Sequence, residues 1–96
     1  MDEEYRSKTV KLYDPISMEY RGGALVPCPL PMREFANSLD GREMTLQDAL
    51  EIIRPMARSV GGKLDVSERY DYIKFKYRTG CMLHHYRLIR FKEVKK

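Results

Sequence analysis

The sequence predicts an α+β fold: a two-layer sandwich with two helices packed on one face of a mostly antiparallel sheet of four to five strands. Three observations carry this expectation. The chain has 96 residues, enough for one domain around one core. Two stretches, around 31–39 and 46–60, repeat apolar residues at helical spacing. The stretches on either side alternate apolar and polar residues at the strand period and end in Gly, Pro or Asp turns. Strands, then two helices, then strands pack most economically with both helices on one face of the sheet. The whole chain, 1–96, is expected to form one domain, with residues 1–5 frayed.

In order, Thr9-Val10-Lys11-Leu12-Tyr13 alternates and reads as a strand stopped by Asp14-Pro15. Ile16-Ser17-Met18-Glu19-Tyr20 alternates too and suggests a second short strand before the turn Arg21-Gly22-Gly23. The apolar run Ala24-Leu25-Val26 follows. Pro31 suits the first turn of a helix, where its missing N–H costs little. Met32, Phe35, Ala36 and Leu39 give that helix its apolar face, and Gly41 is a left-handed cap. Arg42-Glu43-Met44 is too short to promise a good strand between the helices. In the second helix Thr45 is the N-cap candidate, with Asp48 three residues on. Leu46, Ala49, Leu50, Ile53, Met56, Ala57 and Val60 share one face. Pro55 should kink this helix against the carbonyl of Glu51, and Gly61-Gly62 should end it.

A β-meander is expected next. Leu64 and Val66 point inward in Lys63-Leu64-Asp65-Val66. Ile73, Phe75 and Tyr77 point one way; Tyr72, Lys74, Lys76 and Arg78 point the other. Thr79-Gly80 turns the chain into a last strand from about Met82 to Val94. Its apolar phase changes between Leu88 and Ile89, which implies a β-bulge or a strand covered on both sides.

Composition narrows the function classes. Hydrophobic residues make up 43% and charged residues 33%, the balance of a soluble globular protein. No apolar run approaches the roughly 18–20 residues of a membrane helix. The start, Met1-Asp2-Glu3-Glu4-Tyr5-Arg6, lacks the apolar run of a signal peptide. A cytoplasmic location away from membranes is the expectation. Two cysteines far apart then favour free thiols. The net charge is +4, and its excess lies wholly in residues 63–96, where 10 Lys/Arg face 4 Asp/Glu. That asymmetry points to an anionic partner, either nucleic acid or an acidic protein.

Three constellations could carry chemistry. The first is Cys28-Pro29-Leu30-Pro31, between an apolar run and a helix. A thiol ahead of a helix N-terminus has its thiolate favoured by unsatisfied N–H groups and the helix dipole. The prolines stiffen its presentation, and Arg21 or Arg33 could lower its pKa further. The second is Cys81-Met82-Leu83-His84-His85. On a strand the two histidines face opposite sides, and Cys81 and His85 lie roughly 13 Å apart. No metal or other cofactor is therefore expected; one histidine should enter the core and the other the surface. The third is Tyr70, Tyr72, Lys74, Lys76 and Arg78 on one strand face, with Tyr86, Arg87, Arg90 and Lys92 on the neighbouring strand. Aromatics interleaved with cations on a sheet can stack bases and neutralise phosphates. The same pattern also suits a solvated face, where lysine stems cover apolar surface.

Cys28-Pro29-x-Pro31 between a strand and a helix resembles the signature of the TusA/SirA-like sulfur-carrier family. Glu19-Tyr20-Arg21-Gly22 upstream, a second helix ending in glycine and the paired strands 63–69 and 71–78 add to the resemblance, which covers about residues 17–78. It implies a two-layer α/β sandwich and a Cys28 that accepts a persulfide sulfur and passes it on, with Arg21, Gly22, Pro29 and Pro31 supporting the motif. Five residues separate Gly22 from Cys28, a longer spacing than the family's. The family also has a strand between its helices, and it lacks the added basic strand at the end. Two function classes follow. One is a sulfur carrier, whose only chemistry would be transfer through a cysteine persulfide. The other is a binding domain without catalysis that uses Tyr72, Lys74, Lys76, Arg78, Arg87 and Arg90 on nucleic acid or an acidic protein. Pro55 and the two-faced last strand also suit a surface that meets a partner or a second copy of the chain.

Overall fold

A computed structural model describes residues 7–16, 28–67 and 71–94. The strand expected from Ile16, the Arg21-Gly22 pair and Tyr70 fall outside these residues, except for Ile16 itself, which is buried. The element order is β1 (Thr9–Tyr13), α1 (Leu30–Ser38), β2 (Glu43–Thr45), α2 (Leu46–Ser59), β3 (Lys63–Ser67), β4 (Tyr72–Thr79) and β5 (Met82–Glu93). The strands form one five-stranded sheet in the order β2-β1-β5-β4-β3. Every neighbouring pair is antiparallel. This is the α+β architecture that the periodicities predict.

The helices form where capping and spacing direct them. Pro31 lies in the first turn of α1, and the chain leaves through Gly41 at φ +83°. In α2 the Thr45 hydroxyl accepts the backbone N–H of Asp48 at 3.1 Å. Only this half of a capping box forms. The helix runs unbroken through Pro55 to Ser59. Pro55 and Glu51 both lie on the exposed side of the helix, away from the core. Val60 caps the helix and Gly61 turns away at φ +79°. Gly62 must be glycine for a different reason. A Cβ there would enter the Phe75 ring and sit 2.7 Å from the Lys76 carbonyl oxygen.

A strand does lie between the helices, contrary to the expectation from Arg42-Glu43-Met44. β2 has three residues and pairs with β1 through Thr9–Thr45, Val10–Met44 and Lys11–Glu43. Three residues show too little alternation to be read as a strand; pairing with β1 makes it one.

The core lies between the helices and the inner face of the sheet. Met32 and Ala36 of α1 and Leu46, Ala49, Leu50, Ile53 and Ala57 of α2 join Val10, Leu12, Ile73, Phe75, Tyr86, Leu88, Ile89 and Phe91 in one buried cluster. The phase change in β5 is a bulge. Ile73 pairs with Ile89 and Lys74 with Arg87, so Leu88 is the extra residue. The bulge brings Tyr86, Leu88, Ile89 and Phe91 to the same side, and all four are buried. The Leu88 carbonyl accepts the Ile16 N–H at 2.8 Å, which satisfies a group that the irregular ladder would leave open.

Candidate nucleic-acid interface

Cys28 is packed, not presented. Its residue is 1% exposed and belongs to the core cluster. Burial pushes the thiol up to about 11; the Arg33 guanidinium acts in the opposite direction and does not prevail. The expected low-pKa, accessible thiol is therefore corrected. A helix N-terminus favours a thiolate only while the sulfur remains solvated enough to carry charge. Pro29 and Pro31 do what their positions suggest for the backbone: Pro29 caps α1, and its carbonyl accepts the N–H groups of Met32 and Arg33 at 3.0 and 3.2 Å. Tyr86 shares the Cys28 environment. Its phenol is also pushed up, first by burial and then by Cys28 and Tyr77.

The second constellation separates as expected. His84 is buried at 5% exposure, with Nε2 2.6 Å from the Thr79 hydroxyl, while His85 is exposed. Cys81 is a free, exposed thiol in the β4–β5 turn.

The third constellation is assembled by the sheet. Since Val10, Leu12, Ile73, Phe75, Ile89 and Phe91 face the helices, strand alternation sends their neighbours to the outer face. Pairing then sets those neighbours in rows across the strands. Tyr13, Arg90, Tyr72 and Ser67 form one row. Arg87, Lys74 and Asp65 form the next, and His85, Lys76 and Lys63 the one beyond. Lys11 and Lys92 are paired toward the other end. Arg78 stands opposite Leu83 near the hairpin turn. These side chains are half-buried or exposed, and among the described residues both helices lie on the opposite face.

Tyr86 is not part of this face. The sequence reading grouped it with Arg87, Arg90 and Lys92, but it lies in the core at 2% exposure with its ring 6.0 Å from Phe75. Conversely, Tyr13, Lys11 and Lys63 belong to the face and were not assigned to it. Tyr13 is the aromatic centre of the β1 side. The Arg90 guanidinium carbon is 5.5 Å and the Lys92 Nζ 5.3 Å from its ring centroid. The alternation of β1 placed Tyr13 opposite Leu12 in facing; only the β1–β5 pairing places it beside Arg90.

The electrostatics of the face are unbalanced. Lys11 stands opposite Lys92, Lys74 opposite Arg87, and Lys63 opposite Lys76. Like charges directly opposite on a sheet are destabilising. Three carboxylates relieve them in part: Glu43 stands opposite Lys11 on the side away from Lys92, Asp65 is 3.3 Å from Lys76, and Asp14 is 3.2 Å from Arg87. Asp65 is held below the usual carboxylate range, chiefly by the Val66 N–H it accepts at 2.9 Å and further by Lys76 and Lys74. The face can neutralise a line of negative charges and offers Tyr13 and Tyr72 as stacking surfaces between cations.

No helix among the described residues is long and apolar enough to cross a membrane. Comparison with family models, with curated proteins and with solved structures found no match to this chain.

Proposed function

We propose that the protein binds single-stranded nucleic acid on the outer face of its sheet. The observation that carries this reading is the set of like-charged cross-strand pairs, Lys11/Lys92, Lys74/Arg87 and Lys63/Lys76, on the face that the helices leave uncovered. A merely solvated surface gains nothing from such pairs and loses stability to their repulsion. A polyanion laid across them turns the repulsion into attraction and releases counterions. Tyr13 and Tyr72, in one row with Arg90, favour nucleic acid over an acidic protein. Bases stack on tyrosine rings in a sequence-tolerant way; acidic peptides have no equivalent group. A broad sheet face suits splayed single-stranded bases, whereas a duplex groove takes a helix or a narrow ribbon.

Binding of a fluorescent oligouridine, followed by anisotropy, tests the proposal. Charge reversal of Lys74 and Lys76 is expected to weaken binding at least tenfold; equal affinity for the variant and the wild type would contradict it.

Sulfur transfer through Cys28 has less support. Persulfide exchange needs a thiolate that a partner can reach, and Cys28 is enclosed with its pKa raised. Incubation with a cysteine desulfurase and cysteine, followed by mass spectrometry, is expected to leave Cys28 without the roughly 32 Da of an added sulfur atom. Loading of Cys28 would restore the carrier reading.

A further inference from the structure

A second basic feature lies at the edge of the sheet and shares Lys63 with the face described above. The last turns of α2 and the start of β3 enclose an open cleft of about 390 Å³ lined by Arg54, Ala57, Arg58, Gly62, Lys63 and Leu64. Its volume falls in the range of small-ligand sites. Three of the six lining residues are cations and none is acidic. Arg54 and Arg58 are four residues apart, so they project from the same side of α2 and repel one another. Neither they nor Lys63 have an ion-pair partner among the described residues. Arg58 in the last helical turn is favoured by the helix dipole, but that does not account for Arg54 or Lys63. Gly62, Ala57 and Leu64 complete the lining with small or apolar groups.

Lys63 connects this cleft to the face. It is the first residue of β3, the edge strand of the sheet, and its pairing partner is Lys76. Cations therefore continue from Lys74 and Lys76, over the edge at Lys63, to Arg58 and Arg54. We propose that the cleft is a phosphate subsite for the bound strand: the sugar–phosphate backbone leaves the sheet over β3 and seats one nucleotide between Arg54, Arg58 and Lys63. The proposal rests on the nucleic-acid reading of the face and adds to it a direction and an end point for the strand.

Oligouridines of increasing length, titrated onto the full chain at several salt concentrations, test it. The variants are Arg54→Gln with Arg58→Gln, Lys63→Gln alone, and Lys74→Gln with Lys76→Gln. Wild-type affinity should rise with length until the cleft is filled. The Arg54/Arg58 variant should bind short oligomers within twofold of the wild type, lose at least fivefold on long ones, and have a salt slope shallower by about 0.7, the one phosphate held in the cleft. Lys63→Gln should show the same trend at about half the size, and it retains both helix arginines should their loss disturb α2. Long oligomers bound equally by the wild type and both edge variants, with Lys74→Gln/Lys76→Gln still weakened, would overturn the subsite and leave the face standing. A wild-type chain that binds no oligomer at any length would overturn both.

Discussion

Cys28 shows how little a residue's neighbours in sequence decide its chemistry. Cys28-Pro29-Leu30-Pro31 reads locally as a presented thiol at a helix start. The helix start is real, and Pro29 caps it. What the motif does not contain is the packing of the core around the sulfur. Because the folded pKa, about 11, exceeds the ordinary value of 9.0, folding holds the Cys28 proton. The associated stability is complete below pH 9 and is lost as pH rises from 9 toward 11. The wild-type unfolding free energy should therefore fall over that window, on the order of 1–2 kcal/mol more than that of Cys28→Ala, measured by urea denaturation at each pH. Parallel curves for the two proteins would show that the thiol is not held in this way. At pH 8 a small alkylating reagent should label Cys81 well before Cys28. Asp65 has the opposite sign. Its lowered pKa contributes stability above the ordinary carboxylate range and loses it as pH falls through the folded value. On the face it shields Lys76, so Asp65→Asn should tighten nucleic-acid binding severalfold at low salt. Weaker binding would mean that the Lys76–Asp65 pair positions the lysine instead of masking it.

Among the elements, α2 is the most legible in the sequence. Its cap, apolar face and glycine stop are all local, and each appears where the spacing places it. Thr45→Ala should cost about 1 kcal/mol of stability, the usual value of an N-cap, measured by urea denaturation. Gly62→Ala should cost more, about 1–3 kcal/mol, because the added carbon has no space beside Phe75 and the Lys76 carbonyl. A neutral result would mean that the α2–β3 connection shifts freely. β5 was legible in part. The change of phase at Leu88–Ile89 announces a bulge, but the side to which Tyr86 turns depends on where β4 pairs across it. β2 was not legible at all, because its three residues become a strand only through β1, more than thirty positions earlier in the chain.

For the whole molecule, the charge excess of residues 63–96 was plain in the sequence and its arrangement was not. β1 and β5 are neighbours in the sheet although nearly eighty residues separate their pairing positions, and this contact sets Lys11 against Lys92 and Tyr13 beside Arg90. Local periodicity predicts which side chains leave a strand on the same face; it does not predict which strand lies next to which. The resulting surface runs along β5, whose twelve residues span roughly 40 Å at strand rise. Length and charge together suit an extended polyanion better than a compact ligand. The most direct test is the affinity for a labelled oligouridine between roughly 50 and 200 mM salt. Binding should weaken steeply and linearly on a log–log scale, with a slope set by several phosphate contacts at about 0.7 each. The slope should be shallower after Lys74→Glu with Lys76→Glu and unchanged after Cys28→Ala. Absence of binding at 50 mM salt, or binding indifferent to salt and to those two lysines, would contradict the account.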